Sequence, residues 1–145
     1  MLYTNKENCD TFAKLLNLVS NSGINIPDFL GFVFTDDWCT NVISNNYAFE
    51  WYSEYYLYEK ILIRYKEVKN TDFPKSSSKE DPFVLWFTGY LYKFWINYKK
   101  LSPSRLYIVI KILPFVTLKD RFGFYHTQDW SYVVEDAIKQ YKRSR

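Results

Sequence analysis

His126 is the only histidine in the chain, and Cys9 and Cys39 are the only cysteines. A zinc site built on His126 would have to gather thiols or carboxylates from far along the sequence, because none stands at ligand spacing. A nucleophile–histidine pair can be drawn with either thiol, but no local motif supports it. His126-Thr127-Gln128-Asp129 reads instead as the start of the last helix. The imidazole would bond backbone or a carboxylate, Thr127 would cap, and Asp129 would face the positive end of the helix dipole. Carboxylates pair at Asp36/Asp37, Glu50/Glu54 and Glu135/Asp136. Hydrolysis by two carboxyls needs a set separation across a cleft, whereas adjacent acids on helices serve as solvated faces and caps. There is no glycine-rich phosphate loop, no GxSxG and no HExxH. These residues predict a non-enzymatic chain with no catalytic residues, no metal site and no cofactor.

Cations and aromatic rings mix between residues 93 and 121. Lys93, Lys99, Lys100, Arg105, Lys111, Lys119 and Arg121 are interleaved with Trp95, Tyr98 and Tyr107, and Tyr92 stands just before them. Such mixing suits single-stranded nucleic acid, with cations on phosphates and rings on bases. A helix-turn-helix over Ser102–Arg121 would have a mostly apolar second helix, which does not suit base reading. The charge is segregated. Residues 1–82 hold 8 Lys/Arg against 12 Asp/Glu, and residues 83–145 hold 11 against 4. The halves can attract each other, or the basic half can face an acidic partner.

The elements that would position these groups are helical. The chain has 145 residues, 48% apolar and 21% aromatic, with only four glycines and five prolines. That length suits one domain with a real core and leaves little material for the tight turns of a sandwich. The expected fold is all-α, a compact single-domain bundle of about six or seven helices spanning residues 1–145. Two are long, at about 47–69 and 81–100. The second, DPFVLWFTGYLYKFWINYKK, is expected at the centre, with Asp81 as cap, Pro82 at the first helical position, and an aromatic stripe of Phe83, Trp86, Phe87, Tyr90, Leu91, Phe94 and Trp95. In the first, Tyr47, Trp51, Tyr55, Tyr58, Ile61, Leu62 and Tyr65 share a face.

Shorter helices are expected after caps at Asp10 or Thr11, from Pro27, and from Asp36-Asp37. Others follow Ser102-Pro103, with Leu106–Leu113 buried, and cover residues 115–122. Trp130, Val133, Val134, Ala137, Ile138 and Tyr141 face inward from the last helix. Residues 70–80 read as a polar surface linker. With no secretory signal, no paired CxxC and no confident membrane span, the expected location is cytoplasmic, with reduced thiols and no membrane partner.

Several of these segments resemble a group of small, mostly uncharacterised bacterial proteins, chiefly of Firmicutes. The likeness lies in Gly89-Tyr90-Leu91-Tyr92-Lys93-Phe94-Trp95, in Ser102–Tyr107, in Phe124–Asp129 and in Val134-Glu135-Asp136. Those proteins carry a similar glycine–tyrosine–aromatic helix and a Tyr-His-Thr-x-Asp start to the terminal helix. The ending also looks like that of domains of unknown function encoded beside ADP-ribosyltransferase-like toxins. The resemblance covers about the last third of the chain. This chain departs from it in having Arg105 where an acid is usual, and in a more apolar Ile108–Leu113.

The resemblance implies a helical antitoxin-like or immunity-like protein whose partner is a toxin or effector. Abundant tyrosine and tryptophan, which anchor interfaces, agree with a binding role. The expected contact residues are Trp51, Tyr55, Tyr56 and Tyr92, with Lys93 and Arg105. The alternative is a nucleic-acid-binding protein using residues 93–121.

Overall fold

The computed structural model of the chain describes residues 6–45, 52–76, 80–113 and 115–144, the side chains of 115–118 excepted. Among these residues there are eight helices and no named strand. They are α1 (Lys6–Asn21), α2 (Ile26–Val33), α3 (Asp37–Ser44), α4 (Glu54–Lys69), α5 (Pro82–Lys99), α6 (Pro103–Ile112), α7 (Phe115–Tyr125) and α8 (Trp130–Ser144). The all-α expectation holds, and the count of six or seven is corrected to eight.

The short helices separate because each has its own cap. Asn25 accepts from the Asp28 N–H at 3.0 Å and opens α2. Asp36 accepts from the Cys39 N–H at 3.1 Å and opens α3. Each bond satisfies a donor that the first helical turn leaves without an intrahelical partner.

The central helix forms where the sequence places it. Asp81 accepts from the N–H groups of Phe83 (2.8 Å) and Val84 (3.3 Å). Lys100 ends it in the left-handed conformation, φ 51°, with its N–H on the Ile96 carbonyl. Helix α5 lies chiefly along α1 and also meets α3, α6, α7 and α8. Leu85, Leu91, Tyr92 and Trp95 are wholly buried there. Each such side chain contributes about 1.5–3 kcal/mol by leaving water.

Four boundaries differ from expectation, one of them the end of α7, which runs on through Gly123 to Tyr125 rather than stopping at 122. Helix α1 already runs at Lys6, so Asp10 lies inside it rather than capping it. Helix α4 begins at Glu54, where Ser53 accepts from the Tyr56 N–H at 3.2 Å. Tyr52 and Ser53 are not helical, and Tyr47 and Trp51 lie outside the described residues. The expected surface linker is tied to the fold at its start. Phe73 is buried and stacks on Tyr65 with centroids 3.7 Å apart. The Asn25 N–H donates to the Pro74 carbonyl and the Ser76 N–H to the Gly23 carbonyl. Residues 77–79 of that segment lie outside the described residues.

In α6, Leu106 and Ile110 are buried, but Ile108 and Ile112 face solvent, so that helix is covered on one side rather than all round. In α8, Val133, Val134 and Ala137 enter the core as expected, while Trp130, Ile138 and Tyr141 are partly covered. Among the described residues, no helix is long and apolar enough to cross a membrane.

Candidate protein-binding groove

The start of α5, the end of α7 and the first residue of α8 enclose an aromatic groove of about 230 Å³. Its lining is Phe83, Trp86 and Phe87 from α5, Phe122 and His126, then Gln128 and Trp130. Positions 83, 86 and 87 share one face of α5 at helical spacing, and 122 and 126 are one turn apart. The rings hold one another. Phe122 meets Phe87 edge-on at 5.5 Å, and Trp130 stacks on Tyr90 at 4.3 Å. His126 stacks on Phe122 at 5.0 Å. Phe83 is the exception, 76% exposed in the first turn of α5.

One polar atom of the groove is fixed by a partner on α1. The Trp86 Nε1–H donates to Asp10 Oδ1 at 3.1 Å. Asp10 also pairs with Lys14 at 3.1 Å. That bond from Lys14 to Asp10, with the negative charges of Asp10 and Glu54 beside it, raises the Lys14 pKa. The far side of Asp10 therefore leads toward the exposed rings of α4. There Tyr55 is 67% exposed, and Tyr56 stacks on Tyr52 at 4.5 Å.

Of the expected contact residues, Tyr55, Tyr56 and Arg105 are exposed. Tyr92 and Lys93 are corrected: both are fully buried. Position 92 packs its ring on Phe34 at 6.0 Å. Lys93 points inward and donates to the Ile43 carbonyl at 2.6 Å and to Asn97 Oδ1 at 3.2 Å. The orphan carbonyls in the last turn of α3 give its ammonium a partner inside the fold. Burial outweighs the nearby Cys9 sulfur and draws the Lys93 pKa down to about 8.

The basic stretch is broken up accordingly. Lys99 pairs with Glu135 at 2.7 Å, Lys119 with Glu80 at 3.4 Å, and Arg121 with Asp136 at 3.4 Å. The residues around His126 are also rearranged. Its Nδ1 lies 2.9 Å from the Phe122 carbonyl. Thr127 does not cap α8, because its hydroxyl donates back to the Phe124 carbonyl at 2.8 Å and closes α7. Asp129 precedes α8, and its carbonyl accepts the Val133 N–H.

Cys9 and Cys39 are buried free thiols. Burial pushes both upward, Cys9 to about 12, so neither is activated as a nucleophile. Among the described residues, no group of three or more His, Cys, Asp or Glu side chains is placed to hold a metal ion.

Sequence reasoning assigned Phe83, Trp86 and Trp130 to the core and did not single out Phe122 or Gln128. One signal was present: Phe83 lies directly after Asp81-Pro82, in a first turn that the rest of α5 does not cover. No family model matches the chain, and no curated protein or solved structure is significantly similar to it.

Proposed function

We propose that this chain is a non-enzymatic protein-binding module of antitoxin or immunity type, which occludes or regulates a bacterial toxin or effector. The observation that carries the binding role is the aromatic groove with Phe83 exposed at its rim. A ring held in water at the mouth of an aromatic groove gains by being covered, and aromatic anchors in pockets carry much of the energy of protein interfaces. Tyr55 and Tyr56 extend the candidate surface beyond Asp10. The likeness of residues 89–95 and 124–129 to antitoxin-like bacterial proteins supports the class of partner. Charge segregation would speed the encounter. The nucleic-acid reading loses support because Lys93 is buried and Lys99, Lys119 and Arg121 are paired within the chain.

The test is affinity capture by the tagged protein from its own cells, with and without nuclease, using wild type and Phe83→Ser. One stoichiometric protein that survives nuclease and is lost with Phe83→Ser is the expected result. Nucleic acid alone, released by salt, would overturn the proposal, since phosphate contacts weaken steeply with salt.

A further inference from the structure

We infer that the cavity between α2, the end of α4 and α6 binds a free α-amino acid with an aromatic side chain. None of its residues lines the aromatic groove, so this site stands apart from the proposed interface.

The cavity holds about 350 Å³, within the range of small-molecule sites. Charges of both signs line it, Asp28 from the first turn of α2 and Lys69 from the last turn of α4. Each sits at the helix end whose dipole favours it. Yet they are not paired with each other. Among the described residues, neither side chain makes an ion pair or hydrogen bond elsewhere.

The other polar groups serve both charges. Thr35 Oγ1 gives its proton to the Gly31 carbonyl, so it faces the cavity as an acceptor. The Tyr107 hydroxyl rests against α2 at Gly31, where a Cβ would stand 3.0 Å from its oxygen, and it can donate. The apolar wall is aromatic. Phe32 meets Tyr65 edge-on at 4.8 Å, and both line the cavity.

Two opposite, unpaired charges in one cavity select a ligand that carries both. A simple anion would satisfy Lys69 and be repelled by Asp28, and a simple cation the reverse. A sugar would leave both without a counter-charge. An α-amino acid brings an ammonium to Asp28 and Thr35 and a carboxylate to Lys69 and Tyr107. Such charge-assisted hydrogen bonds are about twice as strong as neutral ones. Its side chain then meets Phe32 and Tyr65, and an aromatic ring suits their faces and edges. A residue inside a peptide has lost one or both of the charges at its α-carbon, so the ligand is the free amino acid.

The probe is L-phenylalanine, titrated into the full chain labelled with ¹⁵N and followed at the backbone N–H resonances of Gly31 and Thr35. Saturable shifts are expected. Phenylalanine amide lacks the carboxylate and phenylpropionate lacks the ammonium, and each is expected to bind about tenfold or more weakly. The variants should cross over. Asp28→Asn should weaken phenylalanine and its amide but not phenylpropionate. Lys69→Met should weaken phenylalanine and phenylpropionate but not the amide.

A merely structural role for either residue would weaken all three ligands alike, and that result would overturn the assignment. An analogue that binds as tightly as phenylalanine would overturn it too, by making this a site for a single charge. So would the absence of saturable shifts with phenylalanine.

Discussion

A Cβ atom on Gly89 would stand 2.8 Å from the Cα of Ala13, closer than real Cβ atoms approach a backbone atom. The Leu16 side chain and the Phe12 carbonyl would lie at 3.1 and 3.2 Å. Helices α1 and α5 therefore meet backbone to backbone here. In an exposed helix, Gly→Ala would gain about 1 kcal/mol from propensity alone. In this contact it must push α1 away. Gly89→Ala is expected to destabilise by about 2–3 kcal/mol, in the range of overpacked cores. Urea denaturation checks it. An unchanged or higher midpoint would mean that α1 and α5 do not pack this closely.

Arg64 holds Asp36 with two nitrogens. Its Nε lies 3.0 Å from Oδ2, and its Nη2 lies 3.0 Å from Oδ1. Asp36 also caps α3, so one carboxylate fastens α4 to a helix start. Burial pushes its pKa up, but the bonds from Arg64 and Cys39 outweigh that and leave it lowered. A carboxyl with a depressed folded pKa adds stability above its unfolded value and loses it as pH falls through the folded one. Arg64→Ala is expected to lower the urea midpoint at pH 7, because the well-covered Asp36 carboxylate loses its guanidinium partner. It should also flatten the loss of stability below about pH 4. Equal acid sensitivity in wild type and variant would contradict this role.

Helix α5 was legible because its signals are local: Asp81, Pro82 and apolar spacing need no knowledge of the rest of the chain. Which of its aromatic residues lie inside and which outside was not. Phe83 and Tyr92 are similar residues on the same helix, yet one is exposed and the other wholly buried. Their fate depends on where α1, α3 and α7 end, which is tertiary information. Lys93 misled for a related reason. Lysine is seldom fully buried, so reading it as surface is sound until α3 presents a carbonyl to it. The groove was hidden for the same cause, since Phe122, Gln128 and Trp130 meet Phe83 only through packing.

Tyr92 carries a buried hydroxyl that meets no hydrogen-bond partner among the described residues. Burial raises its pKa, so the phenol stays neutral. An unmet buried hydroxyl costs about 1–3 kcal/mol of desolvation. Tyr92→Phe keeps the ring on Phe34 and removes that cost. The variant is expected to be more stable by about 1 kcal/mol, with partner capture unchanged because position 92 reaches no surface. Thermal unfolding beside the capture assay reads both. A loss of stability would point to a hydroxyl partner, and a loss of capture would return Tyr92 to the interface.

Burial outweighs the pull of Cys9 and takes the Lys93 pKa from 10.5 to about 8. Below pH 8 the folded protein carries the ammonium inside and bears its full desolvation cost. Between the two values, the unfolded chain binds a proton that the folded chain has released, so stability rises with pH. The thiols act oppositely. Burial pushes Cys9 from 9.0 to about 12 and Cys39 upward as well, so above pH 9 the unfolded chain loses protons that the folded chain keeps. Stability then falls. Lys93 by itself contributes a gain of about 1 kcal/mol between pH 8 and 9, and the thiols, already part ionised in the unfolded chain there, offset much of it. Lys93→Met should therefore lose stability more steeply than wild type from pH 8 upward. Urea midpoints from pH 7 to 10 for both proteins make the comparison. Parallel profiles would mean that Lys93 titrates as an ordinary surface lysine and that its ammonium does not lie in the core.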